Sequence, residues 1–103
     1  MYLTVIGLNH NQAGIDLREK LSFTSAELPE ALLYMKEELP VEECLLLSTC
    51  NRIEIYLVHA DQEIDGAGFL AKSRRATREE IMPCLYRHEG AEVARHLFRV
   101  VSS

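Results

Sequence analysis

The strongest constraint on this chain's fold is a pair of short apolar runs set close together. Cys44-Leu45-Leu46-Leu47 and Ile53-Glu54-Ile55-Tyr56-Leu57-Val58 each have strand length and strand-forming residue types. A polar stretch of four to five residues, Ser48-Thr49-Cys50-Asn51-Arg52, joins them. A parallel pair needs a crossover of a dozen residues or more, so a link this short predicts an antiparallel hairpin. The hairpin carries a thiol at its tip, flanked by a hydroxyl, an amide and a guanidinium. An isolated hairpin is marginal in water, so the rest of the chain must supply more strands and a covering layer.

The flanking sequence does so. Tyr2 to Leu8 reads as a first strand, and Asn9 to Gly14 as a polar turn. Asp16 to Lys20 suits one helical turn. Thr24 followed by Glu27 is a capping box, and Leu28, Ala31, Leu32, Met35 and Leu39 then share one helix face. Pro29 sits awkwardly past the first free turn, and Pro40 stops the helix. Gln62 to Ala76 reads as helix, broken or delayed by Gly66 and Gly68. Thr77 with Glu80 starts a further turn that Pro83 ends, and Leu85 to His88 reads as a fourth strand. After Gly90, Ala91 to Val101 forms a last helix with the stripe Ala94, Leu97, Phe98 and Val101. That stripe leaves His96 at its edge, outside the core. The order β-α-β-β-α-β plus a helix is the ferredoxin-like arrangement. The expected class is α+β: an antiparallel four-stranded sheet with helices on one face and a C-terminal helix.

Size and charge exclude several functions. With 103 residues the chain is one domain, 1–103, too small to hold a dinucleotide fold and a substrate domain together. Its 48% apolar and 26% charged residues are those of an ordinary soluble protein. No run is long enough to span a bilayer, and the start lacks a secretory pattern. Three cysteines without framework spacing predict reduced thiols and a cytoplasmic setting. A net charge of −5 argues against a general nucleic-acid coat. Lys72, Arg74, Arg75 and Arg78 form the one basic cluster, readable as a solvated helix end or as a phosphate contact. No Gly or Pro closes the last helix, so a longer native protein is expected.

The chemistry-bearing residues gather at the hairpin. A thiol at a strand tip is accessible, and Arg52 two residues on could favour its thiolate, so Cys50 is a candidate nucleophile; the other reading is a small core residue. Arg52 suits bidentate capture of a carboxylate, or a salt bridge to Glu54 or a helix acid. Thr49 and Asn51 could donate to a substrate oxygen or serve turn chemistry. Cys44 and Cys84 read as structural. His96 is a candidate acid or base if it faces a cleft, and His88 could face the same one. Spacing of Cys84 and His88 does not suit a metal, and no glycine-rich nucleotide loop is visible.

Four blocks occur in order: Gly7-Leu8-Asn9-His10, Leu17-Arg18-Glu19-Lys20, Leu47 through Tyr56 with its core Ser48-Thr49-Cys50-Asn51-Arg52, and His96-Leu97-Phe98-Arg99-Val100. Together they resemble the N-terminal catalytic domain of the glutamyl-tRNA reductases, over essentially the whole chain. Gly14 and Ile53 depart from the pattern, where Pro and Thr or Ser are usual. The resemblance implies that Cys50 attacks the glutamyl-tRNA ester to give a thioester, which NADPH then reduces to glutamate-1-semialdehyde for tetrapyrrole synthesis. It implies a carboxylate-reading Arg52 assisted by Thr49 and Asn51, a catalytic His96 and a substrate-side His88. It also implies NADPH-binding and dimerisation domains outside this chain, a homodimer, and an aminomutase partner that takes the aldehyde. Two other readings stay open: a ferredoxin-like regulatory module that binds a small ligand or a protein, and a thiol hydrolase without a cofactor.

Overall fold

A computed structural model describes residues 1–60 and 63–102. Four strands, β1 (Tyr2–Asn9), β2 (Val41–Ser48), β3 (Arg52–His59) and β4 (Tyr86–Glu89), form one sheet in the order β2-β3-β1-β4. Every neighbouring pair is antiparallel. The helices are α1 (Ile15–Leu21), α2 (Leu28–Glu38), α3 (Gly66–Ser73), α4 (Arg78–Ile81) and α5 (Ala91–Ser102). This is the expected α+β, ferredoxin-like order.

The pleat sorts side chains onto two unlike faces. Ile6, Leu8, Leu46, Ile53, Ile55 and Leu57 point to one side, where they pack with Leu21, Met35, Phe69, Leu70 and Ile81 of the first four helices. The other side of the sheet meets α5, and its apolar contact is small: Val5, Tyr56 and Val93. Central strands covered on both sides bury nearly every residue, which is why β1 and β3 read as almost continuous apolar runs.

Local signals place the helices. The Thr24–Glu27 box forms, with Glu27 Oε1 accepting from the Thr24 N–H at 2.8 Å and the Thr24 hydroxyl accepting from the Glu27 N–H at 3.3 Å. It closes a turn just ahead of α2, so Pro29 falls within the first helical turn, where its missing N–H costs nothing. The Thr77–Glu80 box caps α4 in the same reciprocal way. The helix expected from Gln62 starts at Gly66 instead, with Asp65 capping it through the Gly68 N–H at 3.0 Å; Gln62 itself lies outside the described residues.

Helix α5 departs from its sequence pattern. It turns Val93 and His96 inward, while Phe98 and Val101 stand about as exposed as surface residues, at 71% and 70%. The sheet beneath explains this. It presents a buried carboxylate, Glu54, and the helix docks the side chain that can satisfy it. His96 is therefore a core residue, not one at the edge of the apolar stripe and outside the core.

Candidate active site

The tip between β2 and β3 is shorter than the spacing predicts: Thr49, Cys50 and Asn51 alone join the strands. The Thr49 side chain does the tightening. Its hydroxyl accepts from the N–H groups of Asn51 and Arg52, both at 3.2 Å, while the Thr49 N–H donates to the Arg52 carbonyl at 2.8 Å. Neighbouring segments hold the tip from outside. Arg18 of α1 donates to the Cys50 carbonyl at 2.7 Å and to the Ala13 carbonyl at 3.1 Å, and the His10 N–H donates to the Asn51 carbonyl at 2.9 Å. The backbone on both sides of Cys50 is thus fixed, while its side chain is exposed. Cys44 and Cys84 are half-buried against the core, and burial pushes the Cys44 thiol up.

A hollow of about 760 Å³ opens beside the tip, between the sheet and the C-terminal half of α5. Thr49, Cys50 and Asn51 form its rim, and Arg52 and Tyr56 contribute from the sheet face. Leu45, Leu47, Leu97 and Val101 supply an apolar wall. The thiol and the guanidinium therefore share one cavity.

Arg52 links this cavity to a buried polar cluster. Glu54, two residues along β3, is fully buried, and four side chains converge on it. Tyr56 donates to Oε1 at 2.8 Å, Tyr86 to Oε2 at 2.5 Å, and Arg52 Nη1 lies 3.4 Å from Oε2, while His96 Nε2 bonds the same oxygen. Arg52 Nη1 also reaches the Tyr86 hydroxyl at 3.2 Å. Burial pushes the Glu54 carboxyl up, but the hydrogen bonds from Tyr86, His96 and Tyr56 outweigh it and hold it below the ordinary carboxylate value. Burial and then the bond to Glu54 push both tyrosine hydroxyls well above their usual range.

His88 completes the cluster from β4, its ring centroid 4.6 Å from that of His96. Burial first, and then the charge of His96 and Arg99, depress its pKa. A histidine depressed on folding binds its proton more readily when unfolded, so stability falls as pH drops from about 6.5 toward the folded value. Replacing His88 with Gln is expected to flatten the pH dependence of the urea midpoint between about pH 5 and 7. An unchanged slope there would remove His88 as its source.

The structure brings Cys50, Thr49, Asn51 and Arg52 together at one hollow, and His88 and His96 together at the Glu54 cluster behind it. Among the described contacts no hydrogen bond joins the Cys50 thiol to either histidine. The sequence reading gave Glu54 only as a salt-bridge partner of Arg52, a pair the structure forms, and missed Tyr56, Tyr86 and Arg18. Glu54 and Tyr56 carried a signal: Arg52, Glu54 and Tyr56 alternate along one strand and so share a face. The basic cluster resolves toward a solvated helix end, since Lys72, Arg74 and Arg78 each meet an acid, Glu38, Glu27 and Asp65 respectively. A dinucleotide does not fit the described residues, because the sheet has no parallel strand pair and no glycine-rich strand-to-helix turn. No described helix is long and apolar enough to cross a membrane.

Residues 6–103 match the family model described as glutamyl-tRNAGlu reductase, N-terminal domain. The chain belongs to that family. It is 44% identical over 104 residues to the glutamyl-tRNA reductase of Photobacterium profundum, covering 97% of this chain and 24% of that protein. It is likewise 44% identical over 100 residues to the Neisseria gonorrhoeae glutamyl-tRNA reductase, again 97% and 24%. The solved glutamyl-tRNA reductase from Methanopyrus kandleri superposes with a TM-score of 0.69 at 31% identity, over 97% of this chain and 22% of that one. The chain thus spans about a quarter of the length of the curated relatives it matches.

Proposed function

We propose that this chain is the acyl-accepting domain of a glutamyl-tRNA reductase. The observation that carries this reading is the shared hollow: an exposed thiol on an immobilised tip and a guanidinium two residues away. Cys50 gives its proton to solvent, and the sulfur attacks the carbonyl carbon of the glutamyl ester. The S–C bond forms, the C–O bond to the terminal ribose breaks, and the ribose oxygen leaves with a proton from water. Arg52 reads the side-chain carboxylate through the nitrogens not engaged with Glu54. Thr49 keeps the tip closed, and Asn51 offers its amide to the substrate. His96 and His88 act from behind Arg52, where His96 shares the Glu54 carboxylate with it. NADPH would be held by a domain outside this chain and would supply the reducing chemistry that leads to glutamate-1-semialdehyde, while the residues of this chain would hold and orient the acyl group. A dimerisation domain and an aminomutase acting on the aldehyde belong to the same proposal.

Incubation with glutamyl-tRNA followed by intact-mass spectrometry tests the first step. The expected result is one glutamyl adduct on the native sequence and none on Cys50→Ser. An adduct on both proteins would rule out Cys50 as the sole acceptor. A regulatory module that binds ligands without thiol chemistry predicts no adduct on either.

A further inference from the structure

Cys50 hangs from one bond. Among the described contacts its own groups make a single hydrogen bond, from Arg18 Nη1 to the Cys50 carbonyl at 2.7 Å. Its neighbours in the tip are secured otherwise. The N–H groups of Thr49, Asn51 and Arg52 stay within the turn, and the Asn51 carbonyl takes the His10 N–H. Losing the Arg18 bond would therefore release the residue that carries the thiol while the turn around it stays closed. Arg18 itself has a firm base. Its Nε donates to the Ala13 carbonyl at 3.1 Å, and Ala13 belongs to the buried core. The far end of α1 is fixed by Leu21, fully buried, and by the next loop, where the Phe23 N–H donates to the Ser48 hydroxyl at 2.9 Å. One planar guanidinium thus ties the carbonyl of a core residue to the carbonyl of Cys50. Its rigid fork of donors can serve both at once, and a single amine cannot.

We infer that Arg18 is a positioning residue for acyl transfer: it fixes the backbone from which the sulfur hangs, and so the line of attack on the ester. The inference rests on the acyl-transfer reading and adds to it a residue that does not touch the donor. Arg18 is absent from the lining of the hollow and reaches the tip from the α1 side. The carbonyl it holds and the Cβ that bears the sulfur share one α-carbon, so a carbonyl free to swing carries the sulfur with it. Attack needs the sulfur about 3–3.5 Å from the ester carbon and aligned with it, and a misplacement of about 1 Å costs on the order of 100-fold. A nucleophile on a loop meets that tolerance only if its support is itself locked. Arg18 is that support, since it is the bond that joins Cys50 to the core.

The test follows the glutamyl adduct on Cys50 by intact-mass spectrometry across a range of glutamyl-tRNA concentrations, without any reductant. Arg18→Ala is expected to lower the rate at saturating donor about 100-fold and to leave the half-saturating concentration within about twofold. Methylguanidinium at low millimolar concentration is expected to restore about tenfold of that rate in Arg18→Ala, by filling the vacated place, and to leave the native chain unchanged. Arg74→Ala is the control: Arg74 also ties segments together, through the Lys20 carbonyl and Glu27, but does not reach the tip. It is expected to lower the urea midpoint and to keep the native acylation rate. An Arg18→Ala rate within about twofold of native would overturn the inference. A loss that methylguanidinium leaves unrestored, or that Arg74→Ala matches, would make Arg18 part of the fold only and overturn it as well. So would a loss confined to the half-saturating concentration, which would put Arg18 in contact with the donor. Should Arg18→Ala fail to fold, Arg18→Lys decides, since it keeps the charge and serves one carbonyl. About a tenfold loss there supports the inference and a native rate overturns it. No adduct on the native chain would instead refute the acyl-transfer reading, and this role of Arg18 with it.

Discussion

Glu54→Ala is expected to destabilise the chain by roughly 3–5 kcal/mol, the cost of removing one partner from a buried charge pair. The Arg52 side chain is only 19% exposed and would keep its charge with no carboxylate beside it. The hydroxyls of Tyr56 and Tyr86 and the His96 nitrogen would each lose their acceptor in the same step. A domain of this size has about 5–15 kcal/mol in total, so the variant should unfold at a far lower urea concentration. Glu54→Gln keeps the volume and one acceptor oxygen, and is expected to cost about 1–3 kcal/mol. The acid limb separates the two roles of the carboxylate. Its folded pKa lies below the ordinary value, so its contribution is complete above about pH 4.3 and is lost as pH falls through the folded pKa. Glu54→Gln should lack that part of the acid transition. A midpoint for Glu54→Ala within about 0.5 kcal/mol of the native chain would show that the cluster contributes nothing.

The same cluster marks where sequence reasoning stops. The hairpin was legible because its strands are apolar and its link is short, and both are local properties. The ferredoxin-like order followed from counting elements, with the capping box at Thr77 to fix α4 and the box at Thr24 to close the turn ahead of α2. The rim residues Thr49, Cys50, Asn51 and Arg52 were legible because adjacent positions in a tight turn stay adjacent in space. Glu54 was not, because a charged residue alternating with Ile53 and Ile55 reads as the wet side of a half-buried strand. Only the arrival of α5 from more than thirty residues downstream turns that side into an interior. The helix was misread for the matching reason. Apolar periodicity assumes that a helix buries its greasiest face, whereas α5 rests on a sheet whose exposed chemistry there is a carboxylate. The partner of α5 selected His96, and the stripe with Phe98 and Val101 was left outside.

Gly7→Ala is expected to cost about 1–3 kcal/mol, and Gly7→Val more, although alanine ordinarily improves on glycine inside a strand by roughly 0.5–1 kcal/mol. Gly7 sits in β1 between Glu54 of β3 and Tyr86 of β4. A Cβ there would lie 2.7 Å from the Ile53 carbonyl oxygen, 2.8 Å from Glu54 Cγ and 3.0 Å from the Tyr86 hydroxyl. The missing side chain is the space through which Tyr86 reaches Glu54. Two of those contacts could yield by side-chain rotation, at the expense of the Glu54 hydrogen bonds. The third is backbone of the neighbouring strand and yields only if β1 and β3 move apart. Tyr86→Phe added to Gly7→Ala distinguishes the two sources. It removes the hydroxyl but leaves the carbonyl, so the double variant should recover little of the loss relative to Tyr86→Phe alone. Full recovery would place the whole clash on Tyr86. An undiminished urea midpoint for Gly7→Ala would mean that the strands separate freely, and that the close approach of β1 to the Glu54 cluster is not what requires glycine at this position.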